Sequence, residues 1–213
     1  MNIQLYYAPT TCALAPWVTL TETGAPFETV AMNFRKSEHM TPDYLAINPK
    51  HKVPLLVVDG RKLTESVAIQ IWIAETFPAA KLLPADPWRK LEAISLMSWC
   101  SSGVHPHLAR INSPGKYAAE GAEASVKTHA AEFLREAFAI ADGLLAGRDF
   151  FFDHFTAADA HFFWCCRRAT QFELPLAVHV HCHAHFQRMR QRPSVAAVLA
   201  FEKEKLAQFA KQG

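Results

Sequence analysis

The residues best suited to chemistry gather at four places along the chain. Thr10, Thr11 and Cys12 follow the alternating apolar residues Ile3, Leu5 and Tyr7 and precede a helical pattern through Leu14, Trp17 and Val18. A thiol reacts as its thiolate, yet a free thiol titrates near about 8.5, so a cysteine needs help to be reactive. A helix start offers that help, because unpaired N–H groups and the positive end of the helix dipole meet there. Glu65 and Ser66 open a second helical run, where free N–H groups again favour an anion, although Thr64 to Ser66 also suit plain capping. His105 lies inside a long helical stretch, a setting in which a lone histidine is more often structural. Pro106 follows it and is expected to kink that helix and remove one donor. His179, His181, Cys182, His183 and His185 contain the i, i+4 histidine spacing that can chelate. That cluster falls at the start of a late helix, away from the other three, and no metal is expected there.

These residues need a scaffold, and the composition supplies one. The 213 residues are 50% hydrophobic, 20% charged and 11% aromatic, the profile of a globular protein with room for a sizeable core. Lys and Arg number 22 against 20 Asp and Glu, a formal net charge of +2 with both signs scattered. That pattern excludes an electrostatic footprint for nucleic acid or an anionic membrane. Apolar stretches such as Val53 to Val58 are far shorter than the roughly 20 residues of a membrane-spanning helix. The first residues lack the basic and apolar segments of a secretory signal, so a cytoplasmic location is expected. Five cysteines without a Cys-x-x-Cys pair are expected to be reduced thiols.

The order of elements follows from periodicity and punctuation. Strand, helix, strand, short helix, a hairpin turning at Asp59-Gly60 and a helix from about Glu65 give β-α-β-α-β-β-α. Strand signals stop at the proline-punctuated Lys81 to Pro87, and everything afterwards reads as helical. The expected helices are Pro87 to Ile111, Ala118 to Leu145, Ala157 to Gln171, His181 to Gln191 and Ser194 to Ala210. The organisation expected is therefore an α/β domain over residues 1–80, a linker over 81–86 and an all-helical domain over 87–213. Within the latter, Thr156 and Asp159 have the spacing of a capping box. The helix they open is apolar on nearly every face through His161-Phe162-Phe163-Trp164-Cys165-Cys166, as a buried central helix would be.

Four stretches together resemble the cytosolic glutathione transferases, with bacterial beta-class enzymes the nearest in pattern. They are Tyr7-Ala8-Pro9-Thr10-Thr11-Cys12-Ala13-Leu14-Ala15-Pro16, Ile47-Asn48-Pro49-Lys50-His51-Lys52-Val53-Pro54, Leu63-Thr64-Glu65-Ser66-Val67-Ala68-Ile69 and Phe155-Thr156-Ala157-Ala158-Asp159-Ala160. The resemblance covers nearly the whole chain. It implies a thioredoxin-like N-terminal domain that binds glutathione as co-substrate, a helical domain with the second-substrate pocket, a homodimer, and conjugation of the glutathione thiolate to small hydrophobic electrophiles in detoxification. Two other activities are compatible with it: a glutathione-dependent thiol-disulfide reductase using Cys12, and a non-catalytic binding protein on the same fold.

Site residues follow from the same resemblance. Val53 and Pro54 match the family's cis-proline dipeptide, whose backbone pairs with the cysteinyl part of glutathione. Glu65 and Ser66 match the γ-glutamyl site, with Glu65 holding the ammonium. Lys36 and Lys52 offer charge to the glycyl carboxylate. Cys12 matches the cysteine that forms a mixed disulfide with glutathione, Thr11 offers a hydroxyl to the sulfur, and Tyr7 is expected to pack in the core. Trp99-Cys100-Ser101-Ser102-Gly103-Val104-His105-Pro106 lines up with the stretch carrying a site histidine, which makes His105 a pocket residue. Pro106 stands where the family often has lysine.

Overall fold

The computed structural model of the chain describes residues 1–211. They form two compact units: Met1–Leu82 together with the chain from Gln191 onward, and Leu83–Arg190. The division falls inside the segment expected to be a linker.

In the first unit, β1 (Ile3–Tyr7) buries Ile3, Leu5 and Tyr7 while Gln4 and Tyr6 stay half-buried, as a period of two requires. β2 (Glu28–Ala31) runs parallel to β1, whereas β3 (Leu55–Val58) and β4 (Arg61–Thr64) complete the sheet antiparallel, in the order β2-β1-β3-β4. The turn between β3 and β4 has Asp59 at φ +46° and Gly60 at φ +80°, the pair of positive values that a two-residue hairpin demands. α1 (Leu14–Glu22) and α3 (Ser66–Thr76) pack together, burying Leu14, Val18 and Leu20 from one and Ile69 and Ile73 from the other. α2 (Pro42–Ile47) starts with Thr41 accepting the Tyr44 N–H and Pro42 in the first turn, where its missing N–H is not needed. The expected order of elements is the observed one.

The second unit is helical: α4 (Pro87–Trp99), α5 (His105–Asn112), α6 (Glu123–Leu145), α7 (Ala157–Gln171) and most of α8 (Val180–Gln191). α7 is the buried centre, with every residue from Ala157 to Cys166 inaccessible. Its capping box forms as expected, and Asp159 does more than cap. One carboxylate oxygen accepts the Thr156 N–H at 2.8 Å and the Thr156 hydroxyl at 3.0 Å. The other accepts the Phe151 N–H and pairs with His185 Nε2, both at 3.1 Å.

Two expectations are corrected. The helix expected from Pro87 to Ile111 is broken by a π turn, Cys100–Val104, between α4 and α5. Pro106 has no N–H for the turn before it, so the chain rewinds there and Pro106 sits in the first turn of α5. The last helix, α9 (Pro193–Lys211), belongs to the first unit rather than to residues 87–213 as a helical block. Trp17 of α1 meets Phe201 edge-on at 5.5 Å, and Arg192 clamps Glu22 through two bonds of 2.7 Å.

Candidate thiol and anion site

β1 ends at Tyr7 and α1 begins only at Leu14, so Ala8 to Ala13 form a turn that leads into the helix. Bonds of 3.2 Å from Leu14 N–H to the Thr11 carbonyl and from Ala15 N–H to the Cys12 carbonyl join the two. Thr10 stands at φ +67°, which a β-branched residue adopts only where its surroundings impose it. Glu202 of α9 imposes it: this carboxylate is 2% exposed and accepts the Thr10 N–H at 2.6 Å. The Thr11 hydroxyl donates to the Ala8 carbonyl at 2.7 Å. A hydroxyl has one proton, and Thr11 spends it inside the loop, so its expected donation to a sulfur is not what this geometry provides.

Cys12 Sγ donates to the Val53 carbonyl at 3.7 Å, and the Val53–Pro54 bond is cis. Cys12 is half-buried, and the loss of hydration around its thiol pushes it up to about 11; a hydrogen bond with Ser66 and the charge of Lys52 oppose the rise, and the charge of Glu65 adds to it. A thiol lowered by the helix dipole was the expectation. The helix starts two residues too late for that, and loss of hydration outweighs the remaining donors.

Glu65 caps α3 at φ +73° without a side-chain cap bond, so the first turn of α3 has N–H groups that no capping side chain accepts. Ser66 is buried and Glu65 is exposed. Lys50 Nζ lies 2.6 Å from Glu65 Oε1 and 3.0 Å from Thr64 Oγ1. The Lys52 carbonyl accepts the Tyr44 hydroxyl at 2.6 Å and the Asn48 amide at 2.7 Å, which fixes the chain entering Val53. The first unit thus brings Cys12, Val53, Lys52, Glu65 and Ser66 together. Lys36 is exposed at the end of the 3-10 turn Phe34–Lys36, with no ion pair among the described residues. Tyr7 packs in the core on Trp17 at 4.2 Å, and burial with the Glu202 carboxylate pushes its phenol far above the ordinary value.

Two residues of the site carried no sequence assignment. Lys50 lies in the quoted Asn48-Pro49-Lys50 stretch, and its pairing depends on a fold that closes a separation of 15 residues. Glu202 shares a helical stripe with Val195 and Val198, all three buried, so a carboxylate on an apolar face was its one visible sign.

His105 is the first residue of α5 in the second unit, half-buried, its ring edge-on to Trp164 at 4.5 Å. In the late histidine cluster, His185 is buried against Asp159 and the backbone N–H groups of His181 and Cys182 donate to Asp142. No group of three His, Cys, Asp or Glu among the described residues is placed to hold a metal. All five cysteines are free, and all but Cys12 are buried. No helix among the described residues is long and apolar enough to cross a membrane.

The family model described as glutathione S-transferase, N-terminal domain, matches residues 1–75. The chain is 31% identical over 207 residues to the Escherichia coli O157:H7 glutathione S-transferase GstA, covering 94% of this chain and 98% of that one. The chain belongs to the glutathione S-transferase family. The transferase is similar in structure to a Sulfitobacter homologue with bound glutathione, with TM-score 0.87 and 27% identity over 93% of this chain and 97% of that one. A bacterial beta-class enzyme from Sphingomonas chungbukensis matches with TM-score 0.82 and 29% identity, covering 93% and 98% of the two chains. A Ralstonia maleylpyruvate isomerase is 28% identical over 165 residues, 75% of this chain and 78% of its own. The four-stranded sheet with α1, α2 and α3 is the thioredoxin-like domain of the transferase.

Proposed function

We propose that this transferase binds glutathione on its first unit and conjugates the glutathione thiolate to small hydrophobic electrophiles. The convergence of Cys12, Val53, Glu65 and Ser66 on the uncapped start of α3 carries the reading. The γ-glutamyl carboxylate takes the free N–H groups of α3 with Ser66, and its ammonium takes Glu65, displacing Lys50 from an exposed pair that contributes little. The cysteinyl backbone pairs with Val53. Lys52, and Lys36 from its exposed turn, face the glycyl carboxylate. The sulfur meets the turn from Thr10 to Ala13, where backbone donors rather than the Thr11 hydroxyl stabilise the thiolate. His105 contributes from the helical unit toward the second substrate. The working form is a cytoplasmic homodimer, since isologous dimers are the commonest closed assemblies.

Conjugation is favoured over disulfide reduction because desolvation raises the Cys12 thiol above its ordinary value, which disfavours the nucleophilic thiolate a reductase needs. The isomerase relative makes isomerisation of a maleyl-type substrate, without net consumption of glutathione, the second reading. Calorimetric titration with glutathione, followed by assays of aromatic-halide conjugation, disulfide reduction and isomerisation in wild type and Cys12→Ala, tests all three. The expected result is binding, with conjugation retained in Cys12→Ala to within about tenfold. Absence of glutathione binding, or a loss of conjugation above about a hundredfold, overturns the reading.

A further inference from the structure

His161 lies outside the mechanism just described, yet its chemistry exceeds what packing requires. It is fully buried on α7, where its neighbours Phe162 and Phe163 fill the interior with hydrocarbon. A buried imidazole is unfavourable unless it is hydrogen-bonded. One bond of His161 joins its Nε2 to Ser101 Oγ at 3.3 Å, and Ser101 belongs to the π turn Cys100–Val104. One helical turn further along α7, Trp164 meets the ring of His105 at 4.5 Å with an interplanar angle of 70°. A single face of α7 therefore touches both the π turn and the residue delivered by it.

The π turn matters because of what it does to direction. Each residue of an α-helix advances about 100° around the axis, and a π turn holds one residue more than an α turn. Everything after it is rotated by that amount relative to a continuous helix, and His105 is the first residue after it. Two features permit the turn from within the segment. Gly103 has no Cβ, which would otherwise meet the Trp99 indole at 2.7 and 2.9 Å. Pro106 cannot donate to the turn before it. The bond from His161 to Ser101 reaches the turn from another helix.

We infer that His161 is a positioning residue, which through Ser101 fixes the π turn and thereby sets the direction in which α5 presents His105. The inference rests on the reading of His105 as a second-substrate residue. Burial, with His105 beside it, holds His161 neutral, its pKa pushed down to about 3. At ordinary working pH it acts as a hydrogen-bonding group and carries no charge.

The test uses His161→Phe, which keeps the volume without the bond, His161→Gln, whose Nε2 can reach Ser101, Ser101→Ala, their combination, and His105→Ala. Steady-state kinetics with glutathione and an aromatic halide are paired with NMR of the His105 imidazole C–H signals, which the Trp164 ring displaces and His105→Ala identifies. His161→Phe and Ser101→Ala are expected each to lower kcat about tenfold, leave KM for glutathione within twofold and move the His105 signals. The combined variant should lose about tenfold and not a hundredfold, because the two act as one unit. His161→Gln should stay within about threefold of wild type with the His105 signals in place. Unmoved signals in His161→Phe and Ser101→Ala overturn the inference, as does a His161→Gln variant as impaired as His161→Phe. If His161→Phe does not fold, Ser101→Ala alone decides between these outcomes. Full kcat in His105→Ala would instead remove the catalytic reading of His105, while the displaced signals would still establish the positioning.

Discussion

α3 and α7 begin with the same difficulty, first-turn N–H groups that no preceding turn can accept, and they resolve it in opposite ways. At α7 the capping box closes the end, and Asp159 adds the Phe151 N–H and His185 to its partners inside the core. At α3 the preceding residue is an exposed glutamate at φ +73° whose side chain caps nothing and pairs with Lys50 instead. A strained residue at an uncapped start does not repay its conformational cost, about 1–3 kcal/mol, through local bonds. The difference teaches that a closed helix start acts as a structural joint, whereas an open one leaves its donors unused by any capping side chain.

The sharpest way to break this comparison is to remove the acid at each start. Asp159→Ala strands two buried N–H groups, a hydroxyl and an imidazole, and should lower stability by about 3–5 kcal/mol in urea unfolding, with glutathione affinity unchanged in the folded fraction. A loss below about 1 kcal/mol would mean that the joint is not structural. Glu65→Ala should do the reverse, leaving the urea midpoint nearly in place while glutathione binding weakens by about 1.5–3 kcal/mol, roughly ten- to a hundredfold by calorimetry. Equal affinity in wild type and variant removes Glu65 from the site.

Two pH measurements refine the contrast. His161 on α7 has its folded pKa near 3 against about 6.5 when unfolded. The unfolded chain therefore binds the extra proton between these values, and stability falls as pH drops through that window. Urea midpoints at pH 7 and pH 5 should differ more in wild type than in His161→Phe; identical slopes would contradict the buried neutral imidazole. At the other start, Cys12 with its pKa near 11 should be about one part in a thousand thiolate at pH 8. Its alkylation by iodoacetamide should climb about tenfold per pH unit toward pH 10. A plateau below pH 8 would return Cys12 to the reactive class. The smallest effect expected is for Lys50→Met, which removes an exposed pair and should change glutathione affinity by less than about threefold.

Much of the fold was legible because its signals are local. Alternation in Ile3, Leu5 and Tyr7 marks β1, Asp59-Gly60 marks the hairpin, and Thr156 with Asp159 three residues on marks the start of α7. The positions that escaped reading depend on distant partners. Glu202 reaches Thr10 across 192 residues, and nothing at either position announces the other. The site of the π turn depends on the Trp99 indole lying over Gly103, a packing fact that periodicity does not carry. Proximity to a helix start suggested a reactive Cys12, but the balance between donors and lost hydration is set by depth, which sequence spacing leaves open.

The discontinuous first unit has a consequence for the order in which a ribosome can finish this protein. Residues 83–190 leave the ribosome as one uninterrupted stretch, so the helical unit has all its parts before the unit whose first strand was synthesised earlier. The acceptor for the Thr10 N–H arrives 192 residues after its donor, about 10 to 40 s later at roughly 5–20 residues per second. Until then the loop bearing Cys12 lacks the carboxylate that holds the Thr10 N–H. A nascent chain arrested before Glu202 should therefore expose Cys12 to alkylation, and release of the last helix should protect it.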